Sequence, residues 1–337
     1  MSRIKLFALG LLTFAFIFTS CSKDDDEDVN EAQVLVEYLE SASSPAQKDF
    51  VNTDMPTIMP ASEVKTLNET NQVYIIDIRA EADFTTGHIA NAHNVAVADI
   101  LTHIKSVDLT PYTKVAIVCY TGQTAGFAAS ILRLMGYSKV YSMKWGMCAW
   151  HEDFAGKWNT AIANGNAYAA QFTGTETPKG AKGSLPVLST GKTTGQEILE
   201  ARVNAVLAEG FTPASVTNQT VFGSLANYYI VNYWPAAQYA DPGHIPGAAQ
   251  YTPKETMKLA ADLTTLPTDK PVVVYCYTGQ TSAFLAAYLR LIGYDAKSLL
   301  FGTNGMIYDK MGEYNTAHPE SKMSRFGAAE IMGYDYE

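Results

Sequence analysis

Positive charge is scarce in this sequence. Twenty-four Lys and Arg stand against 34 Asp and Glu, a formal net charge of −10. No basic cluster offsets that balance, which argues against nucleic acid as a partner. Cysteine is scarce too, at four residues: Cys21, Cys119, Cys148 and Cys276. With Cys21 set aside at the N-terminal leader junction, an odd number remains, which points to a free, reactive thiol. Membrane-length apolar runs are missing. The run at 6–18 falls short of the roughly 20 residues a spanning helix needs. Metal-ligand sets are missing as well. His88 and His93 could suggest a pair, but no Cys or acidic partner completes it, and neither metal nor cofactor is expected.

What the N-terminus does hold is a secretory pattern. Arg3 and Lys5 precede the apolar run, which ends at Thr19-Ser20-Cys21. A basic segment, a short apolar segment and small residues before a cleavage point make a signal peptide, here 1–20. Cys21 at that junction resembles the lipobox cysteine of bacterial lipoproteins. The resemblance implies acylation of Cys21 and a lipid-anchored, exported protein of the cell envelope, at the outer membrane or cell surface. An acidic tether follows at 21–30, containing Asp24-Asp25-Asp26-Glu27-Asp28, a charge run that stays solvated.

The remainder is a tandem repeat. The word Cys-Tyr-Thr-Gly-Gln-Thr occurs at 119–124 and again at 276–281, and 13 of the 19 positions in 119–137 and 276–294 are identical. Gly87-His88-Ile89 recurs as Gly243-His244-Ile245, and Trp145-Gly146 as Phe301-Gly302. At this period the chain is a pair of duplicated domains and not a solenoid. Their expected extents are 31–170 and 194–337, joined by a linker at 171–193 that is rich in Gly, Thr and Pro and lacks apolar periodicity. Each half opens on an amphipathic helix, 31–40 and 196–208. Short apolar β-rich runs at 73–78, 114–118 and 139–143 alternate with a helix at 126–135. The second half repeats them at 229–231, 271–275 and 296–301, with a helix at 283–292. Strand, helix, strand implies βαβ units: an α/β fold with a parallel sheet flanked by helices in each half.

Cys119 and Cys276 fall at strand ends, where function collects in such sheets. A helix begins a few residues later, and its unpaired N–H groups favour an anion there. A thiolate so placed is expected to have a lowered pKa and to be nucleophilic. Gly122 and Gly279 let the loop curl round the sulfur. The candidate cradle comprises Tyr120, Thr121, Gly122, Gln123, Thr124 and Ala125 in one copy, and Tyr277, Thr278, Gly279, Gln280, Thr281 and Ser282 in the other. Packing alone has less reason to keep Tyr-Thr-Gly-Gln-Thr twice than to keep the apolar positions.

Asp77-Ile78-Arg79, Phe84, Gly87-His88-Ile89, the strand ending in Cys119 with its loop, and Gly146-Met147 with Ala149-Trp150 together resemble the rhodanese (sulfurtransferase) family. The second half matches through Gly243-His244-Ile245-Pro246-Gly247-Ala248 and Cys276. The resemblance covers most of 55–160 and 210–315. It implies two rhodanese-like domains, each with a Cys that accepts a sulfane sulfur as a persulfide and passes it on. Small sulfur donors and thiol acceptors are then the expected partners. Two departures stand out. Family members often carry Arg at the first and fifth positions after the Cys, where this chain has Tyr120 and Thr124, and Tyr277 and Thr281. The second half also lacks Asp-x-Arg, having Asn232-Tyr233-Trp234. The first half is therefore expected to be nearer a working enzyme.

Asp77 and Arg79 are expected to pair as loop support, and His88 and His244 to bond backbone and not to act as bases. Cys148 has no counterpart, since Ile307 follows the equivalent Gly-Met. It reads as a small core residue or as a resolving thiol for Cys119. A Cys-based phosphatase would need an Arg closing the loop, where this chain has Ala125 and Ser282. A non-catalytic sulfur-carrier or protein-binding module remains the alternative to a sulfurtransferase.

Overall fold

The computed structural model describes residues 30–337; the signal peptide and Cys21 lie outside them. In the first half the strands are β1 (Ile58–Met59), β2 (Val73–Asp77), β3 (Ala92–Asn94), β4 (Lys114–Val118) and β5 (Val140–Met143). Its helices are α1 (Glu31–Glu40), α2 (Phe50–Thr53), α3 (Ala61–Glu69), α4 (Glu81–Thr86), α5 (Ile100–Ser106), α6 (Gln123–Leu134) and α7 (Gly156–Ala163). The second half has β6 (Ser215–Val216), β7 (Tyr229–Asn232), β8 (Ala248–Gln250), β9 (Val272–Tyr275) and β10 (Ala296–Leu299). Its helices are α8 (Gly195–Glu209), α9 (Asn218–Gly223), α10 (Ala236–Ala240), α11 (Gln280–Leu291) and α12 (Tyr308–Ala317).

Each half carries a five-stranded parallel sheet, in the orders β1-β5-β4-β2-β3 and β6-β10-β9-β7-β8. The central strands read as unbroken apolar runs because helices cover both faces: Val115, Ala116, Ile117 and Val118 are all fully buried. These are the strands that deliver Cys119 and Cys276 to the middle of the sheet's carboxyl edge.

The helix after each Cys begins earlier than its apolar spacing predicts. The expected 126–135 and 283–292 are in fact Gln123–Leu134 and Gln280–Leu291. Both start directly after a glycine in the left-handed region, Gly122 at φ +80 and Gly279 at φ +75. The polar loop residues are thus the first helical turn, and their amides carry no intrahelical partner.

The helical layer between the two sheets is shared. One apolar cluster contains Leu35 and Val36 of α1, Phe127 and Ile131 of α6, Val203 and Val206 of α8, and Phe284 and Tyr288 of α11. The α6–α11 contact is close because Gly126 sits there: a Cβ on it would lie 3.1 Å from the Gln280 carbonyl oxygen and 3.2 Å from Phe284. Ser130 Oγ donates to the Phe284 carbonyl across the same seam at 2.9 Å. On α1, the buried Glu31 carboxylate accepts from the Thr190 and Gly191 amides at 2.7 and 2.8 Å.

The connecting segment is extended and lies along the second half. Thr173 pairs with His244 and Thr177 with Ala249. The C-terminal residues leave the second sheet and cross back to the first half. Phe326 lies in the cluster of Trp145, Trp150 and Trp158, Met332 and Tyr334 amides donate to the Ala149 and Trp150 carbonyls, and His88 and Glu337 exchange backbone hydrogen bonds. No helix among the described residues is long and apolar enough to cross a membrane.

Candidate active site

The sulfur of Cys119 meets two backbone amides. Gly122 N–H lies 3.2 Å away and Ala125 N–H 3.3 Å. One belongs to the turn and the other to the first turn of α6, so the early helix start brings them together. Cys119 is 4% exposed, and this burial dominates its acidity. Burial pushes the Cys119 thiol up, the amides of Ala125, Thr121 and Gly122 pull it back without cancelling the rise, and Asp77 adds to it. The lowered pKa expected from the helix end is therefore corrected: desolvation of the thiolate outweighs its hydrogen bonds.

The loop is held from below by the recurring Trp-Gly turn. Trp145 and Gly146 both adopt positive φ, at +64 and +61, as do Phe301 and Gly302 at +63 and +51. The turn directs the Met147 and Cys148 amides onto the Cys119 and Tyr120 carbonyls, at 2.8 and 3.1 Å. In the second half the Thr303 and Asn304 amides do the same for Cys276 and Tyr277, both at 3.1 Å. A Cβ on Gly146 would lie 2.2 Å from the Cys119 carbonyl oxygen, and one on Gly302 2.3 Å from that of Cys276, so glycine is required at both positions. The structural counterpart of Cys148 is thus Asn304, not Ile307. Cys148 itself is a free, fully buried thiol. It donates to the Phe154 carbonyl at 3.0 Å, and burial pushes it up to about 12, which fits the core role better than a resolving one.

Asp77 and Arg79 pair in the interior. Arg79 Nη2 lies 2.6 Å from Asp77 Oδ2, with both side chains 1% exposed. Nη2 also donates to the Gly87 carbonyl at 2.7 Å, which ties the Gly-His-Ile turn to the strand end. The guanidinium carbon lies 5.2 Å from the centre of the Tyr120 ring, and its Nη1 is buried without a partner. His88 bonds the Phe84 carbonyl through Nδ1 at 3.0 Å. His244 has the Tyr239 and Thr175 carbonyls 2.9 Å from its two ring nitrogens. Among the described residues there is no metal-ligating cluster.

A cleft of about 470 Å³ opens over Cys119. Arg79, Tyr120, Thr121, Gln123 and Thr124 line it from the first half, and Phe211, Thr212, Ser215, Leu300 and Phe301 from the second. Lys157, on α7, also lines it, with its Nζ 4.1 Å from the centre of the Tyr120 ring. The cleft thus has the cation that the loop lacks. Sequence reasoning missed Lys157 and its neighbour Trp158, whose indole N–H donates to the Thr121 carbonyl at 3.2 Å. Neither carries a local signal, since both reach the loop only through the fold.

The Cys276 site shares the turn beneath its loop but differs around the sulfur and above it. One amide, Ser282 N–H, meets its sulfur at 3.3 Å. Its other partners are hydroxyls: Ser282 Oγ at 3.6 Å, accepting from the thiol, and Thr278 Oγ1 at 4.0 Å. Trp234 takes the place of Arg79. It is fully buried and stacks on Tyr277 with ring centres 5.3 Å apart. Asn232, in the place of Asp77, donates to the Tyr275 hydroxyl at 2.8 Å.

The family profile described as "Rhodanese-like domain" matches residues 60–153 and 225–306. The chain belongs to the rhodanese-like family. Sulfurtransferases are among its rhodanese-like relatives. The protein "Thiosulfate sulfurtransferase GlpE" of Shewanella oneidensis is 32% identical over 94 residues, 28% of this chain and 91% of that protein. Its namesake in Pseudomonas fluorescens is 30% identical over 109 residues, 32% of this chain and 94% of that one. A crystal structure of a thiosulfate sulfurtransferase from Pseudomonas aeruginosa is similar at 16% identity and a TM-score of 0.27, over 76% of this chain and 45% of that one. A rhodanese-related protein from Thermoplasma volcanium gives 17% and 0.25, over 30% of this chain and 92% of its own. With two profile matches and two parallel sheets, this is a tandem rhodanese-like protein of α/β architecture.

Proposed function

We propose that the chain is a sulfurtransferase whose working thiol is Cys119, which carries a sulfane sulfur as a persulfide to a thiol or cyanide-type acceptor. The observation that carries this reading is the convergence of the Gly122 and Ala125 amides on the Cys119 sulfur at the floor of an open cleft. The Cys119 thiolate attacks the outer sulfur of the donor. A new S–S bond forms, the donor's own S–S bond breaks, and the donor leaves with the electron pair, as sulfite or as a thiolate. The acceptor then attacks the terminal sulfur and releases the Cys119 thiolate, so no redox partner is consumed. The amides stabilise negative charge as it returns to Cys119, and Lys157 at the cleft favours an anionic donor. The relatives named thiosulfate sulfurtransferases support thiosulfate as one such donor.

Cys276 fits a supporting role in this scheme, because Trp234 occupies the place of the cation and hydroxyls replace an amide at the sulfur. The leader sequence supports acylation at Cys21 and anchoring of the enzyme to the cell envelope.

The test is mass analysis of the chain after incubation with thiosulfate or glutathione persulfide. One added sulfur atom is expected on Cys119, and it is expected to leave on addition of cyanide or a thiol. Cys119→Ala abolishes loading and transfer, whereas Cys276→Ala keeps most of both. No added sulfur from either donor on the chain reduced beforehand and freed of reductant would sink the reading in favour of a binding module.

A further inference from the structure

The two copies of the repeated word touch each other. A Cβ on Gly122 would lie 1.7 Å from Gln280 Nε2, and one on Gly279 2.2 Å from Gln123 Oε1. Each glycine therefore makes room for the glutamine of the opposite half. The exchange is not symmetrical in its hydrogen bonds. Gln280 Nε2 donates to the Thr121 carbonyl at 3.3 Å, and Trp158 Nε1 donates to the same oxygen at 3.2 Å. That carbonyl and the Gly122 N–H belong to one peptide unit, whose N–H points at the Cys119 sulfur from 3.2 Å. In the other direction, Gln123 Oε1 accepts from the Phe301 amide at 2.8 Å, and its Nε2 donates to Thr121 Oγ1 at 3.1 Å. Among the described residues no side chain donates to the Thr278 carbonyl, and the amide of Gly279 makes no hydrogen bond to Cys276. The peptide with donors on its oxygen is the one that meets a sulfur.

The geometry points to Gln280 as a positioning residue for the first half's sulfur site: it fixes and polarises the Thr121–Gly122 peptide so that the N–H faces the Cys119 sulfur. The inference rests on Cys119 being the working thiol. The physical reason is that a donor on a peptide oxygen draws electron density along the unit and strengthens its N–H as a donor, and holds its orientation as well. Here the two donors come from opposite halves, Trp158 from the first and Gln280 from the second. The second copy of the word thus serves the first copy's sulfur.

The test is the pH dependence of iodoacetamide alkylation of the full chain, with Cys119 and Cys276 followed separately by peptide mass mapping. It needs no sulfur donor, so it is independent of whether transfer occurs. In Gln280→Leu the Cys119 midpoint is expected to rise by about half a pH unit, so that alkylation at neutral pH slows roughly threefold. The Cys276 midpoint stays where it is, and so does the melting temperature to within a few degrees. Gln280→Glu, which sets an anion against the Thr121 carbonyl, shifts the Cys119 midpoint further. Gln280→Met, of similar length and without the donor, shifts it in the same direction as Gln280→Leu and decides the matter if the latter fails to fold. An unchanged Cys119 midpoint in folded Gln280→Leu, or an equal shift at Cys276, would overturn the assignment.

Discussion

Cys119 and Cys276 carry the same five following residues and meet different surroundings. Burial pushes the Cys119 thiol up, so its folded pKa lies above the ordinary value and the thiolate is a minor form at neutral pH. Below that pKa the thiolate fraction grows about tenfold per pH unit. Sulfur loading under donor-limited conditions is therefore expected to rise steadily from pH ~6 to ~9, which stopped-time mass analysis would follow. Cys148, pushed up to about 12, is expected to stay unmodified in the native chain over the same range. Lys157 makes its contribution through charge on the donor. Lys157→Gln should raise KM for thiosulfate several-fold at low salt, with a smaller effect at high salt where the interaction is screened, and should leave the melting temperature unchanged. The cysteines, their loop and the Asp77–Arg79 pair were legible in the sequence, because each is encoded within a few residues. Lys157 was not: it reaches Tyr120 across 37 residues through the placement of α7 on the sheet.

At the scale of elements, the deciding feature is the left-handed pair Trp145-Gly146 beneath the loop. A side chain on Gly146 meets strain from φ +61 and the Cys119 carbonyl at 2.2 Å. Gly146→Ala is expected to cost about 2 kcal/mol or more, read by denaturant unfolding. It should lower kcat/KM beyond what the loss of folded protein explains, since the Met147 and Cys148 amides no longer hold the loop carbonyls. Sequence reasoning registered that Trp-Gly and Phe-Gly recur, and the structure supplies the reason. It also misjudged the helices after each Cys. Apolar periodicity begins at Phe127 and Phe284, the first large side chains each helix sends into the core. The polar turn before it is helical for a different reason, the positive φ of Gly122 and Gly279, which hydropathy does not register. The strands were easier, because a central parallel strand must be apolar on both faces.

At the scale of the molecule, the repeat announced two sheets but not their shared helical layer, nor the segment that returns to the first half. Such contacts join residues far apart in sequence and leave no periodic trace. Phe326 stacks on Trp158 with ring centres 5.4 Å apart, and Glu330 accepts from the Trp145 indole at 2.6 Å. Removing residues 326–337 uncovers Trp145, Trp150 and Trp158 together. The shortened chain is expected to lose several kcal/mol and to show a red-shifted tryptophan emission, with diminished Cys119 loading because Trp158 braces the loop. The same crossing bears on how the protein is made. The first half leaves the ribosome long before Phe326 does, so its tryptophan cluster is closed only after the second sheet has been synthesised. Folding domain by domain in order of emergence would leave those three indoles uncovered until then.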